Sequence, residues 1–178
     1  MKEEKINITS EYDRLKLEGI LISPESEIKA VIQLVHGMNE HKERYIDFMR
    51  FLAQNGYACF IHDHRGHGKS VRTREDLGYM YGSGARGMLK DIEKVNCDIR
   101  KYFPDLPLIL LGHSMGSLAV RAFASEHDDC MDMLIVCGSP SENKARILGE
   151  MIALAEGKIL GYRHRSHILE TLSFGAYV

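Results

Sequence analysis

Residues 107–117 read Pro107-Leu108-Ile109-Leu110-Leu111-Gly112-His113-Ser114-Met115-Gly116-Ser117. An apolar run, Leu108–Leu111, stops at Gly112, and a second run suited to a helix begins near Ser117. The spacing predicts a strand, a sharp turn and a helix, with Ser114 at the apex. A serine in such a turn has a strained backbone, so the residues two before and two after it must be small enough for strand and helix to approach. Gly112 and Gly116 fill those two positions. A helix N-terminus also leaves N–H groups unpaired, which points the amide of Met115 toward a place where negative charge could form. The five-residue pattern alone is weak, but a short apolar strand before it and an apolar helix after it favour a nucleophile over an ordinary turn serine.

The rest of the chain supplies repeated strand–helix units. Residues 4–9 and 14–22, joined by a polar turn at Ser10–Asp13, read as an antiparallel hairpin. Ile28–Val35 is a nearly continuous apolar strand of the kind buried on both faces. It runs into His36-Gly37-Met38-Asn39-Glu40-His41, where a glycine at a strand end lets the chain turn and frees the amide of Met38. Tyr45, Phe48, Met49, Leu52 and Ala53 then follow helical spacing. Tyr57–His62 is the next strand, and Asp63-His64-Arg65-Gly66-His67-Gly68-Lys69-Ser70 the loop after it. Thr73–Gly84 reads as a polar surface loop. Met88, Ile92, Val95, Ile99 and Tyr102 form an amphipathic helical stripe stopped by Pro104, and Met131–Cys137 is one more buried strand. This order predicts an α/β fold with a mostly parallel sheet flanked by helices and an N-terminal β-hairpin.

Beyond Pro140 the character changes. Ala145, Leu148, Met151, Ile152 and Ala155 line one helix face, and Gly157, Gly161 and the basic stretch Arg163–His167 interrupt it. The domain division expected is a core over residues 1–140 and a helical cap or lid starting within 141–178, with an ordinary surface helix as the alternative.

Composition is that of a globular domain, 44% hydrophobic and 27% charged, with a net charge of −2. That balance gives no electrostatic reason to expect nucleic acid or an anionic membrane as partner. With neither a signal-peptide pattern nor an apolar stretch long enough to span a bilayer, the expected location is cytoplasmic. Cys59, Cys97, Cys130 and Cys137 show no metal or redox spacing and read as structural thiols. His62, His64 and His67 invite a metal-dependent hydrolase reading, but Gly66 stands where a binuclear site would want an aspartate, which favours a hydrogen-bonded loop.

Together the motifs His36–His41, Asp63–Ser70 and Gly112–Ser117 resemble the α/β-hydrolase superfamily, and specifically its monoacylglycerol lipase and lysophospholipase (serine aminopeptidase-like) branch. The resemblance covers about residues 15–140, and residues 141–178, with Ser173–Tyr177, are similar to the start of that branch's cap. It implies a serine hydrolase of acyl esters of the monoacylglycerol or lysophospholipid type, working through an acyl-enzyme without a cofactor. Ser114 would be the nucleophile, and the backbone N–H groups of Met38 and Met115 the oxyanion hole. Gly112, His113, Gly116, His36 and Gly37 would line or shape the site, His113 as a packed residue with no proton-transfer role.

In that superfamily the triad acid and histidine follow later strands. Here Asp128, Asp129, Asp132, His127, His164 and His167 are formal candidates only, and none follows a late strand. The implied fold stops before the last strands, leaving Met131–Cys137 as an apolar edge open to a second copy. The chain is therefore expected to be inactive alone, either as the N-terminal part of a longer hydrolase or as one member of a completed pair. Peptidase, thioesterase or carboxylesterase activity on the same scaffold, or a non-catalytic interaction role, are the alternatives.

Overall fold

The structure is a computed structural model, and it describes residues 1–141, 146–161 and 163–174. Two compact units divide at Pro140 and Ser141. The first contains strands β1 (Lys2–Thr9), β2 (Lys16–Ser23) and β3 (Ala30–Val35), helix α1 (Ile46–Gln54), strand β4 (Tyr57–His62), helix α2 (Gly84–Tyr102), strand β5 (Leu108–His113), helix α3 (Met115–Ala124) and strand β6 (Met133–Cys137). The strands form one sheet in the order β1-β2-β4-β3-β5-β6. β1, β2 and β4 pair antiparallel in succession, while β4, β3, β5 and β6 are mutually parallel.

All six residues of β3 are buried because the strand lies mid-sheet with helices on both faces. Ile32 and Leu34 pack with Met49 and Ala53 of α1, whereas Val31 and Val35 pack with residues of α2 and α3 such as Val95, Ile92 and Val120. Gln33 points the same way as Val31 and Val35. Its amide donates to the Ile92 carbonyl (3.1 Å) and its oxygen accepts from Asn96 (3.0 Å), so a buried polar group is satisfied inside the core.

Several sequence-based expectations shift. β3 begins at Ala30 rather than Ile28. Phe48 and Tyr102 fit the helical spacing but face solvent, at 43% and 66% exposure. The Thr73–Gly84 loop holds a 3-10 turn, Arg74–Asp76, capped reciprocally by Thr73 and the buried Asp76. β6, expected to be buried, exposes all five residues because its outer side has no neighbouring strand among those described. The strand is an edge with no charge or proline to blunt it.

The second unit contains α4 (Arg146–Leu160) and α5 (His167–Phe174). Contrary to the sequence-based expectation, Gly157 lies inside α4 rather than interrupting it, and the chain leaves the helix at Gly161 with a φ of 92°. Leu148, Met151 and Ala155 of the expected apolar face are exposed. Ala145 and Gly175-Ala176-Tyr177 lie outside the described residues.

Candidate active site

β5 delivers His113, and α3 starts at Met115, so Ser114 alone makes the turn. Its backbone sits at φ 52°, ψ −119°, a conformation that residues with a Cβ rarely adopt. Both neighbouring glycines are required by contact. A Cβ on Gly112 would lie 2.5 Å from the Gly116 carbonyl oxygen, and one on Gly116 would lie 2.1 Å from that of Val35. Close strand–helix approach is thus paid for by the absence of two methyl groups. The Ser114 N–H donates to the Cys137 carbonyl (3.0 Å), tying the turn to the end of β6, and its carbonyl accepts from the Ser117 N–H (2.9 Å) and hydroxyl.

The second wall of the site is the turn after β3. A Cβ on Gly37 would lie 3.1 Å from the Ser114 Cβ, so the Gly37–Met38 segment passes directly beside the serine. Asn39, at φ 58°, completes the turn, and the Met38 side chain is exposed. Among the described residues neither the Met38 nor the Met115 N–H donates a hydrogen bond.

Glu40 holds this turn. Its Oε2 accepts from the Gly37 N–H (2.8 Å) and the Tyr45 hydroxyl (2.7 Å), and lies 3.3 Å from His113 Nδ1. Burial pushes the Glu40 carboxyl up, but the hydrogen bonds from Tyr45, Gly37 and His113 outweigh it and leave the group below its usual range. Burial and the bond to Glu40 push the Tyr45 phenol up, so Tyr45 stays a donor. Sequence reading assigned no role to Glu40 and placed Tyr45 on an apolar stripe. The signal available was a carboxylate three residues after a strand-end glycine, a spacing that suits a side chain closing back on a backbone N–H.

His36 is buried behind the turn. Its Nδ1–H donates to the Gly37 carbonyl (2.8 Å), its Nε2 accepts from the His64 N–H (3.0 Å), and the His64 Nε2–H donates to the His36 carbonyl (3.0 Å). The His36 ring, which accepts at Nε2, is therefore neutral, and burial lowers His36 to about 4 and His64 well below its ordinary value. The Asp63 carboxylate accepts from the Lys42 N–H (2.7 Å) and Nζ (2.6 Å) and from the Lys69 N–H (2.8 Å), bracing the same loops. Arg65, fully buried, binds Asp91 through Nε (2.8 Å), Asp13 through Nη1 (2.9 Å) and Ser10 (3.0 Å), and also meets Ser83. The Asp63–Ser70 loop is thus a structural knot joining hairpin, sheet and α2.

The metal reading of His62, His64 and His67 is not supported by geometry. His64 Nε2 is committed to a backbone carbonyl, and the His62–His64 and His64–His67 rings stand edge to face, with centroids 5.4 and 6.0 Å apart. Among the described residues no three histidine, cysteine or carboxylate side chains converge on a common point. Within the first unit the formal triad candidates make other contacts. His127 stacks on Phe123 and Asp132 pairs with Arg100 (2.8 Å), while His167, in the second unit, lies 3.7 Å from Glu170. Among the described residues of the first unit no histidine or carboxylate is hydrogen-bonded to the Ser114 hydroxyl.

A serine on a strained strand–helix elbow, at the C-terminal end of a mostly parallel sheet with an antiparallel hairpin on one side, defines the molecule as an α/β hydrolase by fold. The chain belongs to the family described as serine aminopeptidase, S33, whose family model matches residues 26–173. It is 31% identical over 153 residues to the monoglyceride lipase of Homo sapiens, covering 85% of this chain and 46% of that protein. A probable lysophospholipase L2 of Haemophilus influenzae is 29% identical over 108 residues, covering 61% of this chain and 34% of the relative. Among solved structures, a carboxyl esterase from Bacillus coagulans superposes with a TM-score of 0.77 at 25% identity, covering 91% of this chain and 56% of that one. The chain thus spans about half the length of the monoglyceride lipases it matches. Among the described residues no helix is long and apolar enough to cross a membrane.

Proposed function

We propose that this chain carries the nucleophile and oxyanion hole of a serine hydrolase acting on acyl esters of the monoacylglycerol or lysophospholipid type. Ser114 attacks the ester carbonyl carbon, and the carbonyl π electrons move onto oxygen. The Met38 and Met115 N–H groups receive that oxyanion, each donor worth about 3 kcal/mol of barrier. Collapse expels the alcohol, which leaves with the serine proton, and water then releases the acid from the acyl-enzyme. The observation that carries this reading is the φ of 52° at Ser114 between two glycines that admit no Cβ. Strain of this kind is maintained where it presents a group for chemistry.

The proton transfer needs a base, and none is bonded to the Ser114 hydroxyl among the described residues of the first unit. Losing a triad member leaves only residual catalysis from the oxyanion hole and binding. On this reading the chain alone would be a very poor esterase. The names of the relatives favour lipid esters over amides, and the 141–178 unit, read as the start of a cap, would contribute to substrate choice. The test is turnover of p-nitrophenyl acyl esters by the purified chain, with aminoacyl amides alongside. Slow ester release that Ser114→Ala removes is expected. Rapid turnover abolished by Ser114→Ala would contradict the expectation of weak activity, and preference for aminoacyl amides would contradict the substrate class.

A further inference from the structure

We propose that Glu40 is the positioning residue of the oxyanion loop, its Oε2 clamping the Gly37 N–H, the Tyr45 hydroxyl and His113 Nδ1 into one anchor beside Ser114. This rests on the reading of Ser114 as nucleophile and of Met38 as an oxyanion donor. One carboxylate oxygen joins the turn after β3 and the residue preceding α1, both local, to the last residue of β5, which is remote in sequence. Two of its partners adjoin the reacting groups. His113 is covalently joined to Ser114, and Gly37 is followed directly by Met38. A Cβ on Gly37 would lie 3.1 Å from both the Glu40 Oε2 and the Ser114 Cβ, so the turn is held between carboxylate and nucleophile with no slack.

The hydrogen bonding is also self-consistent. Tyr45 has one proton and spends it on Glu40 at 2.7 Å, which leaves its oxygen to accept from His113 Nδ1–H at 3.2 Å. That Nδ1–H is shared with Glu40 at 3.3 Å. The arrangement fixes one tautomer of His113 and makes Glu40 an acceptor only, the state in which a carboxylate binds a backbone N–H most strongly. Arg44, 3.9 Å from the other carboxylate oxygen, faces the cluster from the same loop. The Glu40 side chain is only 12% exposed, so water is a poor substitute for the three donors. If the anchor is lost, the Gly37–Met38 peptide keeps only the bond from His36 Nδ1–H to its carbonyl (2.8 Å), and an oxyanion donor misplaced by an ångström costs about a hundredfold in rate.

The test compares Glu40→Ala, which removes the acceptor, with Glu40→Gln, which keeps the shape and one acceptor oxygen. In proton–nitrogen NMR spectra of the whole chain, the Gly37 amide is expected downfield and protected from exchange. Glu40→Ala should move it upfield and speed its exchange about tenfold or more, with Glu40→Gln intermediate. The second readout is phosphonylation of Ser114 by a fluorophosphonate, resolved into half-saturating concentration and limiting rate. Glu40→Ala should lower the limiting rate by about 10- to 100-fold with the half-saturating concentration unchanged, and Glu40→Gln should recover most of it. A Gly37 amide indifferent to Glu40→Ala overturns the inference, as does a moved amide with an unchanged limiting rate. Should wild-type Ser114 react no faster in the folded chain than in urea, the nucleophile reading fails, and the Gly37 amide still decides whether Glu40 holds the loop.

Discussion

Replacing Ser114 by glycine should make the protein more stable than replacing it by alanine. Ser114 lies at φ 52°, ψ −119°, where a Cβ crowds the flanking peptide groups. Holding a non-glycine residue there costs about 1–3 kcal/mol. Ser114→Ala removes the hydroxyl but keeps the Cβ and therefore the strain; Ser114→Gly relieves it. Glycine in turn makes the unfolded chain more flexible, a cost of about 0.5–1 kcal/mol. The net expectation is that the glycine variant exceeds the alanine variant by about 1 kcal/mol. With a urea dependence of about 1–3 kcal/mol per molar, the unfolding midpoint should rise by roughly 0.5 M at unchanged slope. Both variants lack the hydroxyl, so the comparison isolates backbone strain from chemistry. A glycine variant equal to or less stable than the alanine variant would refute the claim that this turn is strained.

Gly116→Ala should act in the opposite direction. Its Cβ would meet the Val35 carbonyl oxygen at 2.1 Å and that of His36 at 2.6 Å, and backbone cannot rotate away, so a loss of about 3 kcal/mol is expected in urea unfolding. A loss below about 1 kcal/mol would mean that α3 can back away from β3 freely. Burial lowers His36 to about 4 and His62 to about 3, from an ordinary 6.5. Each takes up a proton on unfolding between those values, so its contribution is complete above pH 6.5 and is lost as pH falls. Unfolding free energy should drop by about 1.4 kcal/mol per pH unit for each ring below pH 6, and His62→Leu should flatten the slope, whereas stability constant down to pH 5 would show the rings to be solvated. Arg65→Met leaves Asp91 buried without its cation and should cost about 3–5 kcal/mol, part of which the double variant Arg65→Met/Asp91→Leu recovers; a double variant no better than the single one would contradict this.

The elbow was legible in the sequence because it depends on local features: an apolar strand, two glycines at fixed spacing and an apolar helix. The parallel sheet was legible for a similar reason, since Ile28–Val35, interrupted only by Lys29 and Gln33, and Leu108–Leu111 are apolar runs of the kind a doubly covered sheet buries. Periodicity placed Phe48 and Tyr102 on helices but could not show that they sit at the margin of the apolar stripe, where the helix turns to solvent. Met133–Cys137 has the composition of an interior strand, and its exposure follows from its place at the sheet edge, which composition does not encode. The polar interior was least legible. Glu40 reaches His113, and Arg65 reaches 10, 13, 83 and 91, contacts that exist only once the sheet has brought distant loops together.

The most direct test of the account is which serine reacts with a fluorophosphonate. The purified chain, incubated with excess reagent and mapped by peptide mass spectrometry, should carry a slowly formed adduct on Ser114, absent from Ser114→Ala and from chain unfolded in urea. Adducts spread over surface serines, or none on Ser114 at any time, would contradict the claim that the turn presents a nucleophile to the Met38 and Met115 amides.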